Sequence, residues 1–202
     1  MKRNWFSRHP IAFMALYLLL YLSAFNFLNT QIHMPHVLVH CRLDDLIPFT
    51  LFFLLWKAPR EDFWRLCLPL FGGMTLALAC YVILPTGLNL RPYYVPGSDI
   101  FARAVRFLYR TDTPINVCPS IHVFNSVTLL LAYYRSRLFE RPRLRWMRPA
   151  AAVLCGSIVC STVLLKQHSC IDVVLGILLA LALDAAFTAA SEYSELLQTR
   201  RV

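Results

Sequence analysis

The chain has 202 residues, of which 58% are hydrophobic and only 15% are charged. This composition is far from that of a soluble domain and is typical of a membrane protein. The net charge of +9 does not indicate nucleic-acid binding, because the largest cationic block, residues 135–148, lies in a short connection between two apolar runs. Membrane topology and anionic lipid headgroups account better for that block.

Six apolar runs predict an all-α protein, a six-transmembrane-helix bundle that forms one membrane-embedded domain over residues 1–202. A full span needs about 20 apolar residues, so the second and fourth runs are short. The second either begins its helix at Pro48 and leans on Lys57, or forms a re-entrant or tilted helix. The first lacks a small-residue cleavage site and is predicted to be a retained helix. The runs are 11–28, 46–56, 63–84, 121–134, 150–165 and 171–190.

The cations are distributed unevenly between the two sides of this arrangement. Fourteen of the twenty Lys and Arg residues fall in the termini and in alternate connections. The positive-inside rule places that side, with both termini, in the cytoplasm. The motifs described below then lie on the extracytoplasmic side. The compact size and the lack of trafficking motifs favour a bacterial inner membrane.

The longest non-apolar stretch, residues 85–118, is predicted to fold over the outer side of the bundle. Residues 101–109 have the spacing of an amphipathic helix that lies in the interface. Arg91 is the candidate phosphate clamp, because a guanidinium matches phosphate oxygens in a planar, bidentate way. The other arginines of the stretch are assigned to solvent or headgroups, and they are Arg103, Arg106 and Arg110.

Two short histidine motifs stand at the edges of apolar runs. Pro119-Ser120-Ile121-His122 opens the fourth run, and His168 and Asp172 lie four residues apart before the sixth. On a helix that spacing puts both side chains on one face, where the carboxylate would orient the imidazole. We predict His168 as a nucleophile held by Asp172, and His122 as the general acid that protonates a leaving oxygen.

Three hydroxyl side chains near these motifs have two possible roles each. Ser120 opens an apolar run, so it caps a helix, contacts a phosphate near the helix N-terminus, or does both. Ser161 and Thr162, at the end of the fifth run, either donate to phosphate or bond back to their own helix.

These residues resemble the type 2 phosphatidic acid phosphatase superfamily, whose motifs read K-x6-R-P, P-S-G-H and S-R-x5-H-x3-D. Arg91-Pro92 matches the end of the first motif, Pro119, Ser120 and His122 match the second, and Ser161, His168 and Asp172 match the third. The resemblance covers residues 44–184. Two cations of the family pattern are missing, because Leu84 replaces the lysine and Thr162 the arginine, while Ile121 replaces the glycine.

Within that superfamily, residues 112–122 and 161–168 look like the branch that includes inositol phosphorylceramide synthases, and residues 44–49 add to the likeness. The branch contains hydrolases and transferases. Lys166 would then supply the charge that Thr162 lacks; the alternative is a lysine that snorkels to the interface.

The sequence therefore predicts an integral membrane lipid phosphatase that acts through a phosphohistidine at the extracytoplasmic face. A lipid headgroup phosphotransferase and a non-enzymatic lipid-binding protein are the alternatives. The predicted partners are a lipid phosphate substrate and the bilayer, with no nucleic acid, no obligate protein partner and no cofactor. A metal site is not predicted at His33, His36 and His40, because their spacing lacks acidic or thiol partners.

Two further side-chain pairings are predicted. Asp184 lies too far along its helix from Asp172 to join the catalytic pair, at about 18 Å for 1.5 Å per residue, and is expected to pair with a cytoplasmic arginine. Cys118 and Cys170 adjoin the two histidine motifs, and a disulfide between them is a hypothesis.

Overall fold

Helices form the regular secondary structure of this protein in the computed structural model, which describes residues 8–31 and 46–199. One unit, Met1–Leu38, contains helix α1 (Pro10–Gln31). The other, Val39–Val202, contains all the remaining helices, and the all-α prediction is confirmed for the described ranges. These helices are α2 (Leu46–Lys57), α3 (Arg60–Ile83), α4 (Ile100–Thr111), α5 (Ile121–Arg135), a 3-10 helix (Arg137–Glu140), α6 (Met147–Leu164) and α7 (Cys170–Thr199).

Three segments are long and apolar enough to cross a membrane, namely Arg60–Ile83, Met147–Leu164 and Cys170–Tyr193. Pro10–Ala24 is a shorter apolar segment. The two runs predicted to be short form the 12-residue α2 and the 15-residue α5. At 1.5 Å per residue these helices are about 18 and 22 Å long, less than a hydrocarbon core of about 30 Å. Each predicted run thus forms a helix, but six full spans are not confirmed.

The core of the second unit lies around α5, which packs against α3, α6 and α7. α3 turns one face inward, with buried side chains at helical spacing from Phe63 through Leu70 to Ala77. Gly73 lies on this face, and a Cβ atom there would come within 2.0 Å of the Phe124 ring. Because Phe124 is completely buried, its ring has little freedom to move away. The glycine therefore lets α5 insert this ring against α3.

Arginine side chains join the helices at the end of the bundle where α5 finishes. Arg148 donates hydrogen bonds from Nε to the carbonyl of Tyr133 (3.0 Å) and from Nη2 to that of Tyr134 (2.9 Å), which satisfies the C-terminal end of α5. Arg135, in the last turn of α5, forms an ion pair with Asp184 of α7. The predicted pairing of Asp184 with an arginine is confirmed.

At the opposite end, the connection between α3 and α5 folds back on itself. The Thr86 hydroxyl accepts hydrogen bonds from the N–H groups of Val117 and Cys118, both at 3.1 Å. Helix α4 lies in the chain between Thr86 and Val117. Asp99 caps this helix, and its carboxylate accepts hydrogen bonds from the N–H groups of Phe101 and Ala102. These backbone bonds lower the pKa of Asp99. The helix predicted at residues 101–109 is confirmed, with one buried residue, Ala102, on its inner side.

Candidate active site

The first histidine motif forms the start of α5. Ser120 is completely buried, and its hydroxyl accepts a hydrogen bond from the Val123 N–H (3.4 Å). Its own N–H donates to the carbonyl of Asp172 in the first turn of α7 (3.1 Å). The Tyr81 hydroxyl of α3 donates to the carbonyl of Pro119 (2.8 Å). Ser120 therefore caps α5, as one of its two predicted roles requires, and three helices meet at this point.

A close approach of α7 to α5 brings the two histidine motifs together. Gly176 of α7 faces the start of α5, and a Cβ atom there would lie 2.7 Å from the carbonyl oxygen of Ser120. Real Cβ atoms do not approach a backbone oxygen so closely. The absence of a side chain at Gly176 thus permits the contact, which sequence reasoning had not singled out.

The second histidine motif begins in the turn that ends α6. The Gln167 N–H donates to the Thr162 carbonyl (2.9 Å) and the Lys166 N–H to the Val163 carbonyl (2.9 Å). Lys166 has a φ of 51°. This pair of bonds around a left-handed residue is a Schellman motif, a common way to end a helix. The His168 N–H donates to the same Thr162 carbonyl (3.1 Å), which fixes the backbone of His168 just past the helix.

Helix α7 then starts with a reciprocal pair of caps. The Asp172 N–H donates to the Ser169 hydroxyl (3.3 Å), and the Ser169 N–H donates to Oδ2 of Asp172 (2.7 Å). This is a capping box in which Asp takes the place of the usual Glu. The carboxylate of Asp172 is therefore held in place by the start of its own helix.

This arrangement corrects the expectation that His168 and Asp172 share a helix face. His168 lies in the turn before α7, since Ser169 is the capping residue. Its Nδ1 atom is 3.9 Å from Oδ2 of Asp172, which is longer than a hydrogen bond. Nδ1 is buried and has no hydrogen-bond partner among the described residues. The two side chains are adjacent, but the carboxylate oxygen near the imidazole is bonded to the Ser169 N–H.

The two histidines lie side by side between α5 and α7. The ring centroids of His122 and His168 are 5.6 Å apart, with the planes inclined by 61°. Burial, and then the neighbouring His122, lower the pKa of His168 from 6.5 to about 4. The pKa is raised in the opposite direction by the carboxylate of Asp112, then by that of Asp172, and by a hydrogen bond with the Val117 backbone. These effects are smaller than the lowering. The imidazole of His168 is thus neutral at physiological pH, the form in which it is a nucleophile.

Asp112 was not identified as a site residue from the sequence. Its Oδ2 atom accepts hydrogen bonds from Nη2 of Arg91 (3.0 Å) and from Nε2 of Gln167 (2.8 Å), the residue just before His168. The Tyr109 hydroxyl donates to the Leu165 carbonyl in the same turn (3.0 Å). These bonds fasten the α3–α5 connection to the turn that carries His168. A single Asp after an amphipathic helix offers no local signal of this role.

The guanidinium of Arg91 lies within that connection. Besides the ion pair with Asp112, its Nη1 atom donates to the carbonyls of Asp112 and Tyr109, and the guanidinium lies 4.9 Å from the centroid of the Tyr109 ring. The side chain is 10% exposed, and its Nε atom has no hydrogen-bond partner in the described part of the chain. The predicted phosphate clamp is thus engaged by a carboxylate in this structure.

The remaining predicted phosphate contacts differ in what they face. The Ser161 hydroxyl donates to the Ile158 carbonyl and the Thr162 hydroxyl to the Val159 carbonyl, both at 2.8 Å. The predicted alternatives were a bond to phosphate and a bond back to the same helix. Both hydroxyls make the bond to their own helix. Lys166 is exposed. Leu84, where the family has a lysine, is the exposed C-cap of α3.

The hypothetical disulfide between Cys118 and Cys170 is not formed in this structure. Cys118 and Cys170 are both free thiols. Burial and a hydrogen bond with Asp172 raise the pKa of Cys118 to about 11. Cys118 therefore packs against the site as a neutral thiol, whereas Cys170 is exposed.

Residues 8–31 and 46–199 contain no group of three or more His, Cys, Asp or Glu side chains that could hold a metal ion. His33, His36 and His40 lie outside the described residues, as do Asp44 and Asp45.

The fold and the site define a helical membrane protein with two histidines at facing helix ends. Residues 66–195 match the family model of the PAP2 superfamily, well over half of the chain. The chain belongs to the PAP2 superfamily, whose members are generally phosphatases or phosphotransferases. The matched range contains Arg91 and both histidine motifs. Comparison with curated proteins and with solved structures gave no significant match.

Proposed function

We propose that this protein is an integral membrane lipid phosphatase that hydrolyses a lipid-linked phosphate or diphosphate through a phosphohistidine. The observation that carries the proposal is the pairing of His122 with His168, two imidazoles whose centroids are 5.6 Å apart. One is buried and neutral, as a nucleophile must be, and the other is less buried. Such a pair can divide nucleophilic attack and proton transfer between two side chains.

In the first step, a ring nitrogen of His168 attacks phosphorus, and the bond from phosphorus to the lipid oxygen breaks. Protonated His122 gives its proton to that departing oxygen, so the lipid leaves as a neutral alcohol or as a monophosphate. The charge that develops on the imidazole of His168 is stabilised by Asp172, 3.9 Å away, and by Asp112.

In the second step, His122 is neutral and accepts a proton from water. The water oxygen attacks phosphorus, the bond from phosphorus to nitrogen breaks, and inorganic phosphate leaves. Both histidines return to their starting protonation states. The cycle uses no cofactor.

Binding of the phosphate is assigned to Arg91, Ser120 and Lys166, with Ser161 and Thr162 as weaker candidates. Arg91 is the strongest, because an incoming phosphate can replace Asp112 as the anion on its guanidinium. Ser120 contributes to phosphate binding through its position at the N-terminus of α5, where the helix dipole favours an anion. Lys166 is exposed, and the long four-carbon stem of a lysine can carry its ammonium to a phosphate from the end of α6.

The proposed orientation places this site at the extracytoplasmic face of a six-span arrangement in a bacterial inner membrane, with both termini in the cytoplasm. Support comes from the cation-rich end near Arg135 and Arg148 and from α4 at the opposite end. Phe101 and Phe107 of α4 are exposed although they are aromatic, as expected for a helix that lies in the interface.

A lipid headgroup phosphotransferase is the second candidate. It is favoured by the likeness of residues 112–122 and 161–168 to inositol phosphorylceramide synthases. In that reaction an alcohol takes the place of water in the second step. A lipid-binding protein without activity is the third.

The test is phosphate release from a panel of lipid phosphates and diphosphates by the full-length protein in detergent with excess EDTA. We expect release to fall about a thousandfold or more in His168→Ala and about 10²–10⁴-fold in His122→Ala. The two roles separate on a lipid p-nitrophenyl phosphate, whose leaving group needs no proton. With this substrate, His122→Ala should release p-nitrophenolate at a rate close to that of wild type. His168→Ala should stay inactive.

Both variants must elute as wild type does in size-exclusion chromatography and unfold at a similar temperature. Radiolabelled substrate should give an acid-labile phosphoenzyme in wild type that is absent in His168→Ala. Transfer of label to an added alcohol, with no free phosphate, would identify the phosphotransferase. Full activity in His168→Ala would refute the mechanism.

A further inference from the structure

Thr86, the second residue after the C-cap of α3, carries a hydroxyl that the proposed mechanism does not use. Its Oγ1 atom accepts hydrogen bonds from the N–H groups of Val117 and Cys118, both at 3.1 Å. Its carbonyl accepts from the Asn116 N–H (2.6 Å). A hydroxyl oxygen has two lone pairs, so this one segment fills both acceptor positions of Oγ1. Thr86 therefore holds three successive N–H groups of a segment that is distant in the sequence.

The backbone at Asn116 explains why two N–H groups reach the same oxygen. Asn116 has a φ of 56°, a left-handed conformation that Asn adopts more readily than most residues. Successive N–H groups beside such a residue turn toward one point and form a small concave site for an acceptor. Val117 is buried, so water has little access to take the place of the hydroxyl. Loss of the Thr86 hydroxyl would thus leave these N–H groups without an acceptor.

The peptide that joins Val117 to Cys118 links Thr86 to the candidate nucleophile. This peptide is planar and trans, so its N–H and its C=O point in opposite directions. The N–H of Cys118 points to Thr86, and the C=O of Val117 points away from it. On that other side, the Val117 backbone forms a hydrogen bond with His168. Because this bond raises the pKa of His168, the imidazole is the donor and the carbonyl is the acceptor.

The residues that follow Val117 contact Asp172, the other member of the second histidine motif. The Cys118 thiol forms a hydrogen bond with the Asp172 side chain. The Ser120 N–H donates to the Asp172 carbonyl (3.1 Å). Thr86 therefore holds, from one side, a segment of chain that contacts His168 and Asp172 on the other.

We propose that Thr86 is a positioning residue for His168: its hydroxyl fixes the Val117–Cys118 peptide, whose carbonyl orients the imidazole for attack on phosphorus. The inference rests on the proposed function for the reaction, whereas the positioning itself needs no substrate. The Val117 carbonyl supplies an acceptor that Asp172 does not, since Nδ1 of His168 is 3.9 Å from Oδ2 of Asp172. The imidazole becomes positive during attack, and an acceptor that is already in place stabilises this charge.

Three variants separate the hydroxyl from the shape of the side chain. Thr86→Val keeps the shape and removes the hydroxyl, whereas Thr86→Ser keeps the hydroxyl. Thr75→Val is the matched control on α3, where the Thr75 hydroxyl donates to the Phe71 carbonyl of its own helix (2.8 Å). Amide hydrogen exchange of the full-length protein in detergent reports on the bonds themselves. The amides of Val117 and Cys118 should exchange roughly fivefold faster or more in Thr86→Val, and near the wild-type rate in the other two variants.

The link to His168 is measured without any substrate. In nitrogen NMR spectra of protein with isotope-labelled histidine, the ring signals of His168 are assigned by their loss in His168→Gln. We expect these signals to shift in Thr86→Val and to stay in place in Thr86→Ser and Thr75→Val. Unchanged ring signals or unchanged amide exchange in Thr86→Val would overturn the proposal. A shift in a protein that releases no phosphate would support the role of Thr86 and count against the proposed function.

Single-turnover kinetics distinguish positioning from a loss of folded protein. In Thr86→Val the rate constant of phosphoenzyme formation should fall about 10- to 100-fold with an unchanged amplitude, and Thr86→Ser should recover the rate. The fall should persist with the lipid p-nitrophenyl phosphate, because a better leaving group does not restore a misplaced nucleophile. A lower amplitude with the wild-type rate constant would show that the hydroxyl only stabilises the fold, which would overturn the proposal. Thr86→Ala, which adds no bulk, replaces Thr86→Val if the latter does not fold.

Discussion

Adding one methyl group at Gly176 should separate the two histidine motifs. In the substitution Gly176→Ala, the new Cβ atom would lie 2.7 Å from the Ser120 carbonyl oxygen, 3.3 Å from Cβ of Val123 and 3.4 Å from the Phe124 nitrogen. The first distance is about 0.7 Å shorter than the 3.4 Å at which ordinary contact begins. Two of the three atoms belong to the backbone, so rotation of a side chain cannot relieve the overlap, and α5 must move relative to α7.

The expected cost follows from that displacement. Overpacking in a tight interior destabilises a protein by about 1–3 kcal/mol. A shift of this size also moves His122, two residues after Ser120, relative to His168. Misplacement of reacting groups by about 1 Å costs about 10²-fold in rate. We therefore expect kcat to fall 10- to 100-fold with a small change in KM, since Arg91, the proposed phosphate ligand, lies on another segment.

The control is Gly156→Ala on α6, where a Cβ atom would meet nothing within 4 Å. Ala is the better helix former, so this variant should keep full activity and gain up to about 1 kcal/mol of stability. Phosphate release with the best lipid of the panel and thermal unfolding in detergent provide the two measurements. Equal activity and unfolding temperature in the two variants would refute the argument that a close contact at Gly176 sets the site.

Three further predictions concern the charges around the site. Because the pKa of His168 is lowered to about 4, the unfolded chain binds more protons between about pH 6.5 and 4, so stability should fall as the pH drops through this window. His168→Gln should lose that part of the pH dependence in thermal unfolding, and an identical dependence in both proteins would contradict the assignment. Asp112→Asn should leave Arg91 without its ion pair and lower stability by about 3 kcal/mol, while the acid limb of the activity of the folded variant moves to lower pH. An unchanged unfolding temperature and pH profile would show that Asp112 holds neither Arg91 nor His168. Lys166→Gly should raise stability by about 1 kcal/mol, because glycine adopts positive φ without strain, yet raise KM through loss of the charge. Lys166→Ala should raise KM equally without the gain in stability, and a KM that stays constant in both variants would remove Lys166 from the phosphate site.

The sequence alone predicted the positions of the helices well. Each of the six apolar runs and the amphipathic stretch at residues 101–109 forms a helix, because the burial of apolar side chains at helical spacing is a local property of the chain. The pairing of Asp184 with an arginine was also predictable, since an acid inside an apolar helix requires a partner. The superfamily followed from the spacing within the two histidine motifs.

Tertiary structure decided the contacts between segments that are distant in the sequence. Asp112 and Gln167 are joined by a hydrogen bond although 55 residues separate them, and no local pattern marks either residue. Arg91 was assigned to phosphate from its chemistry and from the match of Arg91-Pro92 to the first family motif, whereas its engagement by Asp112 depends on how residues 85–118 fold. Gly176 looks like an ordinary helix glycine until α5 lies against it.

His168 and Asp172 show where the information in the sequence ends and that of the tertiary structure begins. Their separation of four residues is a property of the sequence, but whether it is a helical spacing depends on where α7 begins. The capping box puts the N-cap at Ser169 and the first helical residue at Cys170, two residues after His168. The imidazole therefore leaves the helix face and turns toward His122. Covalent spacing is set by the chain, whereas the direction of a side chain at a helix end is set by the hydrogen bonds and neighbouring helices that the whole fold provides.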